Sequence, residues 1–300
     1  MLPVRLISLI PMKAFFTAVL CLLSACRAQS GDPAAQKKPV APGVVQIGRI
    51  THPHLTESSG VVVSRRDPAL FWTHTDGGGK KQVLYGMTRS GRPLAEYRVT
   101  GALLDDWEDI ASDDAGHLFL ADTGNNDLAR TQVAVYQVDE PELKKSSSGL
   151  VAVTRGWQLK FPGQPFNCEA LFIWRDHGYV VSKVFGDQRA ELFRFPLTNA
   201  APLLTMERLG DLKIDSPVTG ADISRDGKLL GLVAKNGAYV FRINGDPARA
   251  TRGKPYHTRL ADEHIEACTF VPEGLLVTAE SREIYLFTDE PFRAGPPKKK

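Results

Sequence analysis

The sequence predicts an all-β fold in which five similar four-stranded units form a ring. Three observations support this prediction. An acidic residue opens a short apolar run five times, turns rich in Asp and Gly separate the apolar runs, and no stretch is typical of a long helix. The acids recur 44 to 61 residues apart, a spacing that indicates a propeller or solenoid repeat, at Glu57, Glu108, Glu169, Asp222 and Glu266.

Each acid begins the first strand of its unit, and a turn follows at residues 65–68, 113–116, 175–178, 225–227 and 272–274. A second strand comes next, at residues 70–73, 118–121, 179–182, 229–234 and 275–278. The third strand lies beyond a polar loop, at residues 83–86, 133–138, 191–195, 238–243 and 284–287. A more polar fourth strand completes the first four units, at residues 95–99, 156–160, 208–212 and 256–259. Four antiparallel strands in a meander are typical of a β-propeller blade, so the sequence predicts a five-bladed β-propeller.

The fifth unit lacks a fourth strand, because the chain after Phe287 runs into Pro and Lys residues. An additional strand-like segment, residues 44–50, precedes the first acid. We expect this segment to complete the fifth blade and close the ring, which removes the exposed edges of an open sheet.

The N-terminus is typical of a secretory signal, since an apolar run of residues 14–26 follows Lys13 and is too short to span a bilayer comfortably. Its end, Leu23-Ser24-Ala25-Cys26, resembles the lipobox of bacterial lipoproteins. The resemblance implies cleavage before Cys26 and lipidation of that residue, and Arg27 after it favours the outer membrane. We therefore expect a signal peptide over residues 1–26, a flexible tether over 27–43, the propeller over 44–293 and a basic disordered tail over 294–300.

The charge balance argues against nucleic acid as a partner. Residues 44–293 contain 29 Lys and Arg against 33 Asp and Glu, whereas a nucleic-acid-binding domain presents a basic face. The expected partners are the membrane, through the lipid anchor, and an unidentified envelope ligand or protein, with the chain itself a monomer. For Cys168 and Cys268, two buried thiols are favoured over a disulfide, because units three and five are not neighbours in a ring.

Connectivity predicts where the chemistry lies. The first strand of each blade lines the central channel, so the five acids should gather at one mouth of it, and the loops after the second strands should return to that mouth. These loops supply the expected ligand rim: His74, Asp76, Asp122, Asn125, Lys183, Lys235 and Glu280. Hard oxygen ligands favour Ca²⁺ over zinc or copper. The alternative is a structural ring, in which the acids accept backbone or hydroxyl hydrogen bonds. For His74, a solvated loop position is favoured over a role as base or phosphate ligand.

The blocks Asp106-Trp-Glu108-Asp-Ile110 and Thr219-Gly-Ala-Asp222-Ile223 resemble those of secreted calcium-dependent nucleotidases, the apyrases. The pattern is also similar to bacterial propellers labelled esterase-like or phytase-like. The apyrase resemblance implies a central calcium held by one acid or hydroxyl from each blade, with Ser58 as a hydroxyl ligand. Hydrolase activity is an implication of fold analogy alone.

Two functions from different classes stay open, and whether the chain is an enzyme is not decided by the sequence. The sequence contains no Gly-x-Ser-x-Gly elbow, His-Glu-x-x-His motif or P-loop, which favours a lipid-anchored binding protein of the cell envelope. The alternative is a calcium-dependent phosphoester hydrolase, in which the ion polarises a phosphoryl oxygen. Glycoside hydrolysis is a third option, disfavoured because it needs two carboxylates with separated roles.

Overall fold

A computed structural model describes residues 37–76, 82–102, 104–143, 147–198, 201–262 and 264–288. The predicted all-β propeller is confirmed. The described residues form 22 strands and one short 3-10 helix, Pro247–Thr251. No helix within them is long and apolar enough to span a lipid bilayer. The expected signal peptide, Cys26 and the C-terminal tail lie outside the described residues.

The strands pair in five four-stranded meanders, which are called blades below. Blade 1 contains β3 (Gly60–Val63), β4 (Phe71–His74), β5 (Val83–Met87) and β6 (Pro93–Thr100). Blade 2 contains β7 (Trp107–Ser112), β8 (His117–Asp122), β9 (Gln132–Asp139) and β10 (Ser148–Lys160). Blade 3 contains β11 (Cys168–Trp174), β12 (His177–Ser182), β13 (Glu191–Pro196) and β15 (Glu207–Asp211), with β14 (Leu204–Thr205) paired to β10. Blade 4 contains β16 (Val218–Ile223), β17 (Leu229–Ala234), β18 (Gly237–Arg242) and β19 (Tyr256–Arg259).

The N-terminal strand closes the ring, as the sequence predicts. Blade 5 contains β20 (Ile265–Val271), β21 (Gly274–Ala279) and β22 (Glu283–Thr288), and its fourth strand is β2 (Val44–Arg49), antiparallel to β22. A further strand, β1 (Lys38–Ala41), pairs with the outer edge of β2. The expected tether, residues 27–43, therefore contains a strand, because the free outer edge of β2 offers it unpaired backbone groups.

Blades 1 and 2 share one continuous sheet. The long strand β10 begins parallel to β6 and then turns antiparallel to β9, so its first residues join the two blades. The sequence predicts only the later half of this strand, residues 156–160. The earlier half is mostly exposed and lacks the apolar alternation that identifies a strand.

Five apolar clusters hold the blades together, one at each blade-to-blade interface. Trp72 and Trp107 lie in the cluster between blades 1 and 2, and Phe119 and Phe193 lie in the cluster between blades 2 and 3. The other clusters join blades 3 and 4, blades 4 and 5, and blades 5 and 1. Cys168 and Cys268 are buried free thiols in two of these clusters, which confirms that interpretation.

The first strand of every blade has an unpaired edge. Each of β3, β7, β11, β16 and β20 stands at the end of its meander, and each contacts the first strands of the two neighbouring blades. Backbone groups on these edges converge inside the molecule, where water does not reach most of them. They need acceptors and donors from side chains, because an unpaired buried N–H costs about 1–3 kcal/mol.

Asp109 supplies acceptors for three blades at once. Its Oδ1 accepts the backbone N–H of Ile110 at 2.8 Å. Its Oδ2 accepts the N–H of Leu171 in blade 3 at 2.8 Å and that of Ala221 in blade 4 at 3.3 Å. The side chain is fully buried, and burial raises its pKa well above the usual range.

Asp222 and Thr269 continue this chain of links around the axis. Asp222 Oδ2 accepts the hydroxyl of Thr269 at 2.9 Å and the N–H of Phe270 at 2.8 Å, both in blade 5. Thr269 Oγ1 in turn accepts the N–H of Val63 in blade 1 at 3.2 Å. The first strands of all five blades are therefore connected through polar side chains in the channel.

We expect Asp109→Ala to be strongly destabilising, by about 3 kcal/mol or more in the free energy of unfolding, because it leaves three buried N–H groups without their acceptor. Asp109→Asn should lower the free energy of unfolding by less, since its amide oxygen still accepts backbone hydrogen bonds. The control is Asp114→Ala at an exposed position, expected to fall within about 0.5 kcal/mol of wild type. Urea unfolding curves measure these differences, and an Asp109→Ala protein as stable as wild type would contradict the role given to Asp109.

Candidate functional site

Three of the five predicted acids occupy one equivalent position. Glu108, Glu169 and Glu266 each stand in a β-bulge at the start of the first strand, where the register with the second strand shifts. In blade 4 the same bulge carries Thr219. We call the end of the channel at which these three glutamates lie the acidic mouth.

The predicted equivalence is wrong for Asp222. This residue lies three positions beyond the bulge of β16, where it pairs with Gly231 close to the following hairpin turn. It lines a cavity together with Arg65 and Arg225, so it belongs to the other end of the channel, called the arginine mouth below. The oxygens of Asp222 accept backbone and hydroxyl hydrogen bonds. For this residue, the structure therefore agrees with the alternative of a structural acid and not with that of a metal ligand at the acidic mouth.

Glu57 is also displaced from the shared position. It is half-buried and lies three residues before β3, which begins at Gly60. Ser58, the hydroxyl that the apyrase resemblance implies as a ligand, is fully buried and hydrogen-bonds to Thr73 at 2.7 Å and Thr278 at 2.9 Å. Blade 1 thus contributes neither residue to the bulge positions of the acidic mouth.

Lysine side chains neutralise two of the three glutamates. Lys183 Nζ contacts both carboxylate oxygens of Glu169, at 2.6 Å and 2.5 Å. Lys235 forms an ion pair with Glu266 and lies 3.6 Å from Glu280. Three of the predicted rim residues, Lys183, Lys235 and Glu280, therefore do lie at the mouth, the two lysines as cations paired with its glutamates and Glu280 as a second partner of Lys235.

Glu108 forms no ion pair with any lysine or arginine among the described residues. Its side chain is only 5% exposed, and its Oε1 has no hydrogen-bond partner among the described residues. Carboxylate oxygens of Asp76, Asp106 and Glu108 all lie within 4.8 Å of one another. These three side chains form what we call the carboxylate cluster.

The cluster is electrostatically strained. Burial, reinforced by Glu169 and the other two cluster carboxylates, raises the pKa of Glu108 to about 10. Burial and the neighbouring Asp76 raise the pKa of Asp106 to about 6, against the opposing effect of Arg130. Crowded carboxylates of this kind are stabilised by a proton or by a bound cation.

A local hydrogen-bond clamp positions Asp106. Asp122 Oδ1 accepts the backbone N–H groups of Asp105 at 3.1 Å and Asp106 at 2.9 Å. Arg130 forms an ion pair with Asp122, its Nη2 lying 3.1 Å from the same oxygen. The predicted rim residue Asp122 is therefore a buried positioning group, and Asp106, which precedes the strand, is the cluster member that the sequence prediction missed.

Asn125 has a similar positioning role. Its side chain accepts the N–H of Arg130 at 2.9 Å and donates to the carbonyl of the same residue at 3.0 Å. Its own N–H donates to Asn167 in blade 3 at 2.8 Å. The loop after β8 is thus fixed to the neighbouring blade, which orients Arg130 toward Asp122.

His74 is not the solvated loop residue that the sequence favours. It is the last residue of β4, fully buried, with its ring 4.3 Å from that of Trp107 and its Nδ1 3.0 Å from the carbonyl oxygen of Thr75. Burial lowers the pKa of His74 to about 3, so the imidazole is neutral at physiological pH. The ring fits because residue 60 is glycine; a Cβ there would lie 2.4 Å from Nε2 of His74.

A cavity of about 690 Å³ opens beside the Glu169–Lys183 pair. Asn126, Asn167 and Lys183 form part of its wall. Two large apolar side chains stand exposed at its edge, Leu128 at 52% and Phe185 at 64% of their accessible area. Exposed apolar groups next to a polar cavity are typical of a surface that contacts a ligand or partner.

No protein-family model matches this sequence, and no curated protein sequence matches it. Among solved structures, the chain is similar to the Dos1 propeller at 13% identity and a TM-score of 0.39, covering 74% of this chain and 52% of that one. It is similar to virginiamycin B lyase from Staphylococcus aureus at 14% identity and a TM-score of 0.43, covering 86% and 82%. A chain of the nidogen/laminin complex gives 12% identity and a TM-score of 0.41, covering 74% and 72%.

This chain thus spans about half the length of the Dos1 propeller chain. The likenesses are likenesses of fold. The propeller itself is established by the strand pairing and by the five blade-to-blade apolar clusters.

Gly124 tests the packing of the carboxylate cluster. A Cβ at this position would lie 2.3 Å from Oδ2 of Asp106 and 2.3 Å from Oε1 of Glu108. We expect Gly124→Ala to lower the free energy of unfolding by about 1–3 kcal/mol, because the added methyl overpacks the cluster. Gly163→Ala is the matched control, since nothing lies within 4 Å of its Cβ. Equal thermal melting of the two variants would rule out the close approach.

Proposed function

We propose that this chain is a lipid-anchored β-propeller of the bacterial cell envelope that binds Ca²⁺ at the acidic mouth and, through that face, a ligand or partner. The observation that carries the proposal is the buried Oε1 of Glu108, which has no hydrogen-bond partner within the described residues and lies beside two further carboxylates. Burying an ionised oxygen without a partner is costly unless a cation compensates it.

The donor set fits a hard cation. Asp76, Asp106 and Glu108 offer only carboxylate oxygens, which suit Ca²⁺ and not the softer metals that prefer Cys or His. Ligand oxygens on one calcium ion are at most about 4.6–5.2 Å apart, twice the usual Ca–O distance, so mutual distances within 4.8 Å are compatible with all three carboxylates binding one ion. The cluster replaces the five-acid ring as the proposed site.

A role in binding is supported by the surface next to the cluster. The cavity beside the Glu169–Lys183 pair shares the acidic mouth, and Leu128 and Phe185 stand exposed at its edge. A ligand seated there could contribute oxygen atoms to the bound ion and apolar surface to these two side chains. The proposed partner is therefore an oxygen-bearing molecule or protein segment of the envelope.

Phosphoester hydrolysis is the second candidate function. Arg130 and Lys183 both act electrostatically on the carboxylate cluster, as cations that neutralise a phosphoryl group would. Both are already engaged, however, Arg130 with Asp122 and Lys183 with Glu169. This prior pairing favours binding over catalysis. Calcium-dependent release of phosphate from a nucleotide or from phytate would favour the hydrolase instead.

Calcium should stabilise the protein. At a calcium concentration 100 times its Kd, we expect the free energy of unfolding to rise by about 2.7 kcal/mol. The melting temperature should then rise by about 5 °C or more, and chelator should reverse the rise. Glu108→Gln should abolish the shift, because it removes a charged ligand from the cluster.

The matched control for this experiment is Glu207→Gln, which changes an exposed glutamate paired with Arg194 on the outer part of blade 3. That variant should retain the full calcium shift. A wild-type protein that melts at the same temperature with calcium and with chelator would contradict the proposed cation site.

Lipid anchoring through Cys26 predicts the cellular location. In a bacterial host, the wild-type chain should fractionate with the outer membrane, whereas the unlipidated Cys26→Ser protein should be lost from the outer-membrane fraction. Cys21→Ser, which changes the other cysteine of the signal, is the control and should fractionate as wild type does. Incorporation of labelled palmitate gives a direct readout, and labelling of the Cys26→Ser protein equal to wild type would refute the assignment.

A further inference from the structure

The arginine mouth contains a second cavity, at the opposite end of the channel from the carboxylate cluster. Its volume is about 680 Å³, within the range of small-molecule binding sites. The hairpin turns between the first and second strands of blades 1, 4 and 5 contribute to its wall, with residues 63–65, 223–226 and 270–272. Nothing in the calcium proposal uses this cavity.

The wall of the cavity is largely apolar. Val63, Leu229, Phe270 and Val271 line it as partly exposed side chains, and the buried Phe71 lies behind them. Several partly exposed apolar side chains around one concave surface favour a ligand with an apolar body.

Positive charge dominates the rest of the lining. Five cationic side chains stand against two carboxylates, Asp222 and Asp226. Asp222 is occupied, because its two oxygens accept three hydrogen bonds from the channel. Asp226 is 3.0 Å from Lys228. The cationic residues are Arg65, Arg89, Arg225, Lys228 and Arg242.

Arg65 has donors to spare. Its side chain is 13% exposed, and its Nε donates to Ser112 Oγ at 3.0 Å. Its ion-pair partner among the described residues is Asp114 at 3.7 Å, an exposed group that lies equally far from Arg225. The charge of Arg65 also opposes the rise that burial causes in the pKa of Asp222. A guanidinium has five N–H donors in a planar fork that suits a carboxylate, so most of the hydrogen-bonding capacity of Arg65 is left for a ligand.

We propose that this cavity binds a small amphipathic carboxylate, with its single negative charge on Arg65 and its apolar chain or ring against Phe270 and Leu229. One largely buried and incompletely paired guanidinium matches one negative charge. The outer cations, Arg89 and Lys228, already have carboxylate partners in Glu273 and Asp226, so a multiply charged head group would gain less there.

The test is calorimetric titration of the purified protein with decanoate below its micelle concentration. Decanoate should bind, hexanoate should bind more weakly because its chain buries less apolar area, and decyltrimethylammonium should not bind. Arg65→Gln should weaken decanoate binding about tenfold or more, since it removes the charge-assisted hydrogen bonds to the carboxylate. Arg194→Gln, in an ion pair on blade 3, should bind as wild type does.

Chelator separates this inference from the calcium proposal, because decanoate binding should be unchanged when calcium is removed. If Arg65→Gln does not fold, the wild-type protein still tests the proposal, because decanoate can be compared with decyltrimethylammonium for the charge of the ligand and with hexanoate for its chain length. Binding of the ammonium analogue as tight as that of decanoate would overturn the proposal, as would undetectable decanoate binding at millimolar concentration. Tighter binding of decyl phosphate than of decanoate would overturn the choice of head group.

Discussion

The unpaired inner edges of the five first strands are the constraint on which the structure depends. Sheet pairing satisfies only one edge of β3, β7, β11, β16 and β20, so the channel must supply partners for the other. Asp109, Asp222 and Thr269 do this by accepting N–H groups from neighbouring blades. The apolar interfaces set how strongly the blades adhere, whereas these polar links determine how the inner strands align.

The two mouths differ because hairpin turns and loops differ in composition. The loops after the second strands carry Asp76, Lys183 and Lys235 and form the acidic mouth, whereas the first hairpins carry Arg65 and Arg225 and form the arginine mouth. Since strand direction alternates within each blade, a change in one set of turns alters one mouth and leaves the other intact. The proposed cation site and the proposed anion site therefore depend on different sets of turns.

The fold could be predicted from the sequence because apolar runs and turn residues recur in every unit. The number of strands, the positions of the turns and the closing strand all follow from them. The site could be predicted only in part. The sequence comparison aligned Asp222 with the other acids by its apolar neighbours, but the bulge in β16 falls at Thr219, three residues before Asp222. Asp106 was missed because it precedes its strand and reaches the cluster through the clamp by Asp122, a contact that no strand periodicity encodes.

One feature of the sequence does distinguish Glu108 from the other two bulge glutamates. The residue directly after the second strand is Lys183 in blade 3 and Lys235 in blade 4, and these lysines neutralise Glu169 and Glu266. In blade 2 that position is Thr123, whose hydroxyl donates to the carbonyl of Cys168 at 2.8 Å. Among the described residues of blades 1 and 2, Glu108 has carboxylates around it and no lysine paired with it, and the nearby Arg130 is already paired with Asp122. The charge of the residue that follows the second strand differs from blade to blade. This difference locates the candidate cation site more precisely than the repeated acids do.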